Sequence, residues 1–137
     1  MKKLMEPDFW KMISEASWTT ITNSNVIRNK IKVSYPPYKA EYFKNIAHDF
    51  ATQLADTYCQ TIRKINHYTA IVAAYEAVAL GRSTYQEYLD DPSKLKTIIE
   101  TVDTSNTEAL FIFALPSEDD YYQENSKSLN FDESDDY

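Results

Sequence analysis

Residues 77–92 read Ala77-Val78-Ala79-Leu80-Gly81-Arg82-Ser83-Thr84-Tyr85-Gln86-Glu87-Tyr88-Leu89-Asp90-Asp91-Pro92 and hold the one glycine of the 137-residue chain. Gly81 follows an apolar helical run, where a residue just past a helix end turns left-handed at least cost when it lacks a Cβ. Ser83 and Gln86 stand at capping-box spacing, and Asp91-Pro92 repeats the start signal as N-cap and first helical residue. The segment therefore predicts a helix, a glycine stop, a short helix and a proline restart. A chain so poor in glycine has no use for type I′ or II′ hairpin turns or for glycine-rich phosphate loops. These features predict an all-α fold.

Working outward, Thr69–Leu80 is an apolar helix whose Ala70, Ala73, Ala74, Ala77 and Ala79 allow close packing. Before it, Phe43, Ile46, Ala47, Phe50, Leu54, Tyr58, Ile62 and Ile65 form one apolar stripe. The stripe predicts a long central helix over Tyr38–Ile65, ending near Asn66-His67. Tyr35-Pro36-Pro37 separates it from a short helix carrying Val26, Ile27 and Ile31. Ser17–Asn25 is Thr-, Ser- and Asn-rich and predicts a loop or a short extended piece. Ahead of it, Phe9, Met12, Ile13 and Ala16 predict a first helix from Pro7 to about Ala16.

After Pro92, the residues Leu95, Ile98, Ile99 and Val102 give one more amphipathic helix. The run Ala109–Leu115 suits a buried strand or a last helix, and helix is favoured because no second strand is available to pair with it. The chain thus predicts one compact bundle of five to six helices over residues 6–116. Residues 117–137 are polar and acidic and predict a disordered tail.

Of the 21 acids, eight lie beyond Pro116 with only one base, Lys127, so residues 1–116 are neutral and the tail carries the net charge of −7. A single cysteine, Cys59, excludes an internal disulfide and suits a reducing compartment. Glu6, Pro7 and Asp8 precede any apolar run, which argues against a signal peptide. Ala70–Leu80 is too short to span a bilayer and contains Glu76. A cytoplasmic protein without membrane contact is expected.

Two stretches resemble a bacterial family known as domain of unknown function 4240. They are Phe9-Trp10-x-x-Ile13, and Gly81-Arg82-x-x-Tyr85 followed by Leu89, Asp91-Pro92 and Leu95. Phe50, Leu54 and Tyr58, with Glu108-Ala109-Leu110-Phe111, extend the resemblance loosely over residues 8–115. The chain departs from that pattern in having no glycine or tryptophan between Trp18 and Gly81. The resemblance implies an all-helical fold and no established activity.

The chemical constellations are sparse. On one helix, His48 and Cys59 stand about 16 Å apart at 1.5 Å rise per residue, too far to share a tetrahedral metal. They and His67 are expected to be structural, and no metal or cofactor is expected. Asp90 and Asp91 are explained by solvation and capping rather than acid–base work. Arg82 is expected to meet the carbonyl end of the preceding helix; the alternative is an anion grip beside Tyr85. Arg28, Lys30, Lys32, Lys39 and Lys44 are interleaved with Tyr35, Tyr38, Tyr42 and Phe43, the ingredients of phosphate neutralisation and base stacking. In the tail, Tyr121, Tyr122 and Phe131 stand among carboxylates.

No catalytic set is recognisable, so the expected function is a small intracellular, non-enzymatic interaction or regulatory module: an inhibitor, an immunity-type protein or an adaptor. Its partner is expected to be a protein with a basic surface. The alternative is a nucleic-acid-binding protein using residues 28–44, with the acidic tail as an autoinhibitory mimic. An enzyme with an anion site near Arg82 and Tyr85 is the least favoured reading.

Overall fold

The computed structural model describes residues 2–121. Six α-helices follow one another, α1 (Lys2–Ala16), α2 (Ser24–Ser34), α3 (Pro37–Thr61), α4 (His67–Ala79), α5 (Arg82–Asp90) and α6 (Leu95–Thr101), and residues 118–121 are helical as well. Single 3-10 turns occupy Pro92–Lys94, Thr107–Ala109 and Phe111–Phe113, and no strand occurs among the described residues. The all-α bundle predicted from the sequence is the architecture observed. No described helix is long and apolar enough to cross a membrane.

The centre is shared by two helices rather than held by the longest one. α3 and α4 form an antiparallel hairpin with the largest interface in the protein, and α4 is also packed by α5, α6 and the turn at Phe111–Phe113. Nine of the 13 residues of α4 are buried, among them the five alanines. A helix apolar on every side must be enclosed on every side. Small side chains let its neighbours approach closely enough to do so.

Helix α3 ends at Thr61 rather than at Ile65. The N–H groups of Ile62 and Arg63 both reach Tyr58 O, at 2.9 and 3.2 Å, which closes the helix. Ile62 leaves the apolar stripe and is exposed, because the chain must reverse over the next residues into α4. Asn66 caps α4, accepting from Thr69 N at 3.2 Å. Asn23 does the same for α2, accepting from Asn25 N and Val26 N at 3.0 and 3.1 Å. At the other end, α1 begins at Lys2, so Pro7 stands inside it and removes one helical donor.

Gly81, directly after Leu80 closes α4, has φ +110° and ψ 170°, a region open to glycine alone, so the glycine stop falls where its position predicts. It serves as the N-cap residue of α5, with Tyr85 N donating to Gly81 O at 3.0 Å. Ser83 is therefore a helical residue and no capping box forms. Gln86 turns outward and donates to Asp90 Oδ1 at 3.2 Å. A second positive φ after a helix falls on Ser17, at +56°, directly after α1. Asp91 makes no side-chain cap to the backbone; its Oδ1 accepts from Ser93 Oγ at 2.5 Å.

The Ala109–Leu115 run folds as a 3-10 turn on each side of an extended Leu110, helical in sense but not an α-helix. Two side chains one turn apart on α2 hold these turns. Ser24 Oγ donates to Thr107 O at 3.1 Å, and Arg28 Nη2 donates to Phe113 O. The first residues past Pro116 depart from the predicted tail, because Tyr121 is half-buried and donates to Tyr35 O at 2.8 Å. Ser117 N donates to Asp120 Oδ2 at 2.8 Å, and Glu118 N to Glu41 Oε1 at 2.8 Å. The expectation of disorder for residues 122–137 lies outside the described residues.

Candidate functional site

A cleft of about 510 Å³ opens at the end of α4, within the size range of ligand clefts. Four parts of the chain build its walls: Trp18, Thr19 and Thr22 from the loop after α1; Glu76 and Leu80 from the end of α4; Ile98, Thr101, Val102 and Asp103 from α6 and just beyond; and Ala109 with Leu110. Sequence reasoning missed it. Glu76 is the only charged residue in the run Ala70–Leu80, and a lone acid in an enclosed helix was the signal available.

Glu76 is half-buried and both carboxylate oxygens are held. Oε1 accepts from Trp18 Nε1 at 3.1 Å, and Oε2 accepts from Phe111 N at 2.6 Å. Burial raises its pKa above the ordinary 4.5, and these two N–H donors pull it part of the way back. The donors themselves are fixed, since Trp18 is buried and meets the Phe111 ring edge-on with centroids 5.2 Å apart. Two remote segments thereby orient one carboxylate beside apolar walls.

Asp103 contributes a second carboxylate to the lining. Its Oδ1 accepts from Ser105 N at 3.0 Å and from Ser105 Oγ at 2.6 Å, and these bonds lower its pKa. Among the described residues, no Lys, Arg or His lines the cleft. Hydroxyls of Thr19, Thr22 and Thr101 complete a rim that carries only acceptors and hydroxyls beside Leu80, Ile98 and Val102. Such a surface suits a cation on an apolar stem and repels anions.

The basic and aromatic stretch over residues 28–44 is brought together but is largely engaged internally. Arg28 also donates from Nη1 to Asn25 Oδ1 at 3.1 Å, besides its bond to Phe113 O. Lys30 Nζ reaches Glu15 O at 2.5 Å, in the last turn of α1, where the helix dipole favours a cation. Lys32 lies over the Tyr121 ring, 5.6 Å from its centroid. Lys39 pairs with Asp8 at 3.2 Å and sits 5.7 Å from the centroid of Tyr35. Tyr35 is half-buried: its hydroxyl donates to Glu15 Oε1 at 2.8 Å and its ring meets Phe43 edge-on. Tyr38 is exposed and borders a shallow hollow with Glu41, Tyr42, Asn45 and Glu118.

Arg82 and Tyr85 do not form a common grip. Tyr85 is buried, packs against Trp10 and Phe50, and donates to Phe50 O at 2.6 Å. Arg82 is exposed at the start of α5 and makes no hydrogen bond or ion pair among the described residues. It borders an open hollow with Ser83, Gln86, Glu87 and Asp90, whose two acids oppose an anion. The expected bonds from Arg82 to the end of α4 are not made. Among the candidate tail residues, Tyr121 is docked, while Tyr122 and Phe131 lie outside the described residues.

His48 turns to Tyr75 rather than to Cys59: its Nδ1 lies 3.3 Å from the Tyr75 hydroxyl and its Nε2 3.4 Å from Thr52 Oγ1. Cys59 is a half-buried free thiol and His67 is exposed. Among the described residues, no three His, Cys, Asp or Glu side chains gather as metal ligands. No protein-family model matches the chain, and no curated protein or solved structure matches it.

Proposed function

We propose that this chain is a non-catalytic protein-interaction module acting inside the cell, of the inhibitor, immunity or adaptor kind, and that its partner presents a basic surface. The observation that carries the reading is the cleft at Glu76: a held carboxylate, a second carboxylate at Asp103, apolar walls and no cation among the described lining residues. Glu76 has the burial of a functional acid, but among the described residues lining its cleft there is no cysteine, imidazole or lysine to act with it, which favours recognition over chemistry. The acid excess of residues 117–137 adds long-range attraction toward the same class of partner.

The nucleic-acid reading has less support. Of Arg28, Lys30, Lys32, Lys39 and Lys44, only Lys44 makes no contact to a backbone, acid or ring among the described residues. Phosphate binding would have to break the others' existing contacts first.

The test is affinity capture from the native host with the tagged full-length protein, followed by binding measurements with each purified candidate. A protein partner is expected whose association rate falls as salt rises, because rim charges act mainly on encounter. The reading fails if no captured protein binds the purified chain directly, or if the purified partner binds through an acidic surface.

A further inference from the structure

Resting on the interaction reading above, we propose that the Glu76 cleft receives a lysine or arginine side chain of the partner protein, its cationic head at Glu76 and its methylene stem along Leu80, Ile98 and Val102. The complementarity is in both charge and polarity. Lysine and arginine carry long apolar stems, and their heads need acceptors when they leave water. The cleft offers carboxylates and hydroxyls as acceptors, with no competing cation among the described residues that line it.

Preorganisation argues for the same occupant. Glu76 is half-buried in the folded protein, so part of its desolvation is incurred before any partner arrives. Trp18 Nε1 and Phe111 N fix both oxygens, yet each carboxylate oxygen retains a further lone pair for an incoming donor. An arriving ammonium or guanidinium therefore meets an oriented acceptor and forms a charge-assisted bond without reordering the site. Asp103 at the lining attracts the same head group, and Leu80, although at a helix end beside apolar neighbours, is left exposed at the cleft. At about 510 Å³ the space also admits the residues that flank the basic side chain.

The test uses the full-length protein labelled with nitrogen-15 and follows the Trp18 indole N–H resonance, with that of Trp10 as an internal control. Three probes are titrated: N-acetyl-lysine amide, N-acetyl-arginine amide and the neutral isostere N-acetyl-norleucine amide. At least one cationic probe is expected to shift Trp18 and leave Trp10 in place, with norleucine at least tenfold weaker. Asp103→Asn, on an exposed side chain, is expected to keep the fold and weaken the cationic probe severalfold. Glu76→Gln should weaken it tenfold or more, with circular dichroism checking that this variant folds. Equal binding of norleucine, equal shifts at Trp10 and Trp18, or an unchanged affinity in Asp103→Asn would each overturn the assignment. If cationic probes move Trp18 but no partner protein is found, the cleft assignment stands and the interaction reading falls. If a purified partner binds wild type and both variants equally, the interaction reading stands and this assignment falls.

Discussion

Trp18 Nε1 and Glu76 Oε1 lie 3.1 Å apart although 58 positions separate them in the chain. This bond closes the loop after α1 onto the end of α4 and holds the carboxylate that defines the cleft. Trp18→Phe keeps an aromatic ring beside Phe111 but deletes the donor, so the loss should be about 1.5–3 kcal/mol, the range for a hydrogen bond to a charged group. The penalty depends on pH with a definite sign. Glu76 has a folded pKa above its ordinary 4.5, so its contribution is fully present below that value and lost as pH rises through the folded one. Removing a donor that lowers the pKa raises it further, and the variant should be most damaged at neutral pH and less damaged in mild acid. Urea unfolding at both pH values checks this; an equal penalty at each would show that the bond does not stabilise the charged form.

Gly81 and Ser17 should respond oppositely to gaining and losing a Cβ. A Cβ on Gly81 meets nothing within 4 Å, yet its φ of +110° is strained for any other residue. Gly81→Ala is expected to cost about 1–3 kcal/mol through backbone conformation alone. Ser17 holds φ +56° with a side chain present, so Ser17→Gly should be neutral or stabilising by up to about 1 kcal/mol. Chemical denaturation of the two variants decides. A destabilised Ser17→Gly would mean that its 3.4 Å hydroxyl contact to Glu15 O outweighs the relief of strain.

Alkaline titration should resolve a late-ionising group of tyrosines. Burial, then the bond to Glu15, pushes Tyr35 up to about 12, and burial, then Asp49, pushes Tyr75 up to about 12. Burial alone raises Tyr85, and burial with nearby Asp120 raises Tyr121. Raised folded values mean that the stability from these groups is complete below the ordinary 10.0 and lost as pH rises through the folded values, about 12 for Tyr35 and Tyr75. Near-ultraviolet absorbance should show the four ionising together with unfolding rather than before it. Tyr35→Phe should lose the Glu15 bond while removing one late step. A single early titration of all tyrosines would contradict the packing of this region.

The bases over residues 28–44 should matter to folding more than to nucleic acid. Arg28→Ala leaves Phe113 O without its donor and should cost about 1–3 kcal/mol. Lys44→Ala, which loses no hydrogen bond, ion pair or ring contact among the described residues, should stay within about 0.5 kcal/mol. The full-length protein should give no gel shift with single-stranded oligonucleotides at low salt, where phosphate contacts are strongest. A shift abolished by Lys44→Ala would restore the nucleic-acid reading.

The sequence by itself determined the helical class and most element positions. One glycine, two proline breaks and periodic apolar stripes are local facts, and helix formation responds to local facts. Its errors came where a local rule had more than one local solution. Gly81 stops α4 as its position predicts but also serves as the N-cap of α5, because the chain enters α5 at once after α4. Ser83 lost its capping role for the same reason. Tyr85 and Arg28 looked like surface ligands because sequence shows a side chain's chemistry and not its direction. The structure turns one into the aromatic core and the other onto the carbonyl of Phe113. The Glu76 cleft was legible only as one acid in an apolar run. Its donors, walls and rim come from segments far apart in the chain, and only tertiary packing brings them within hydrogen-bond reach, where burial acts on the carboxylate.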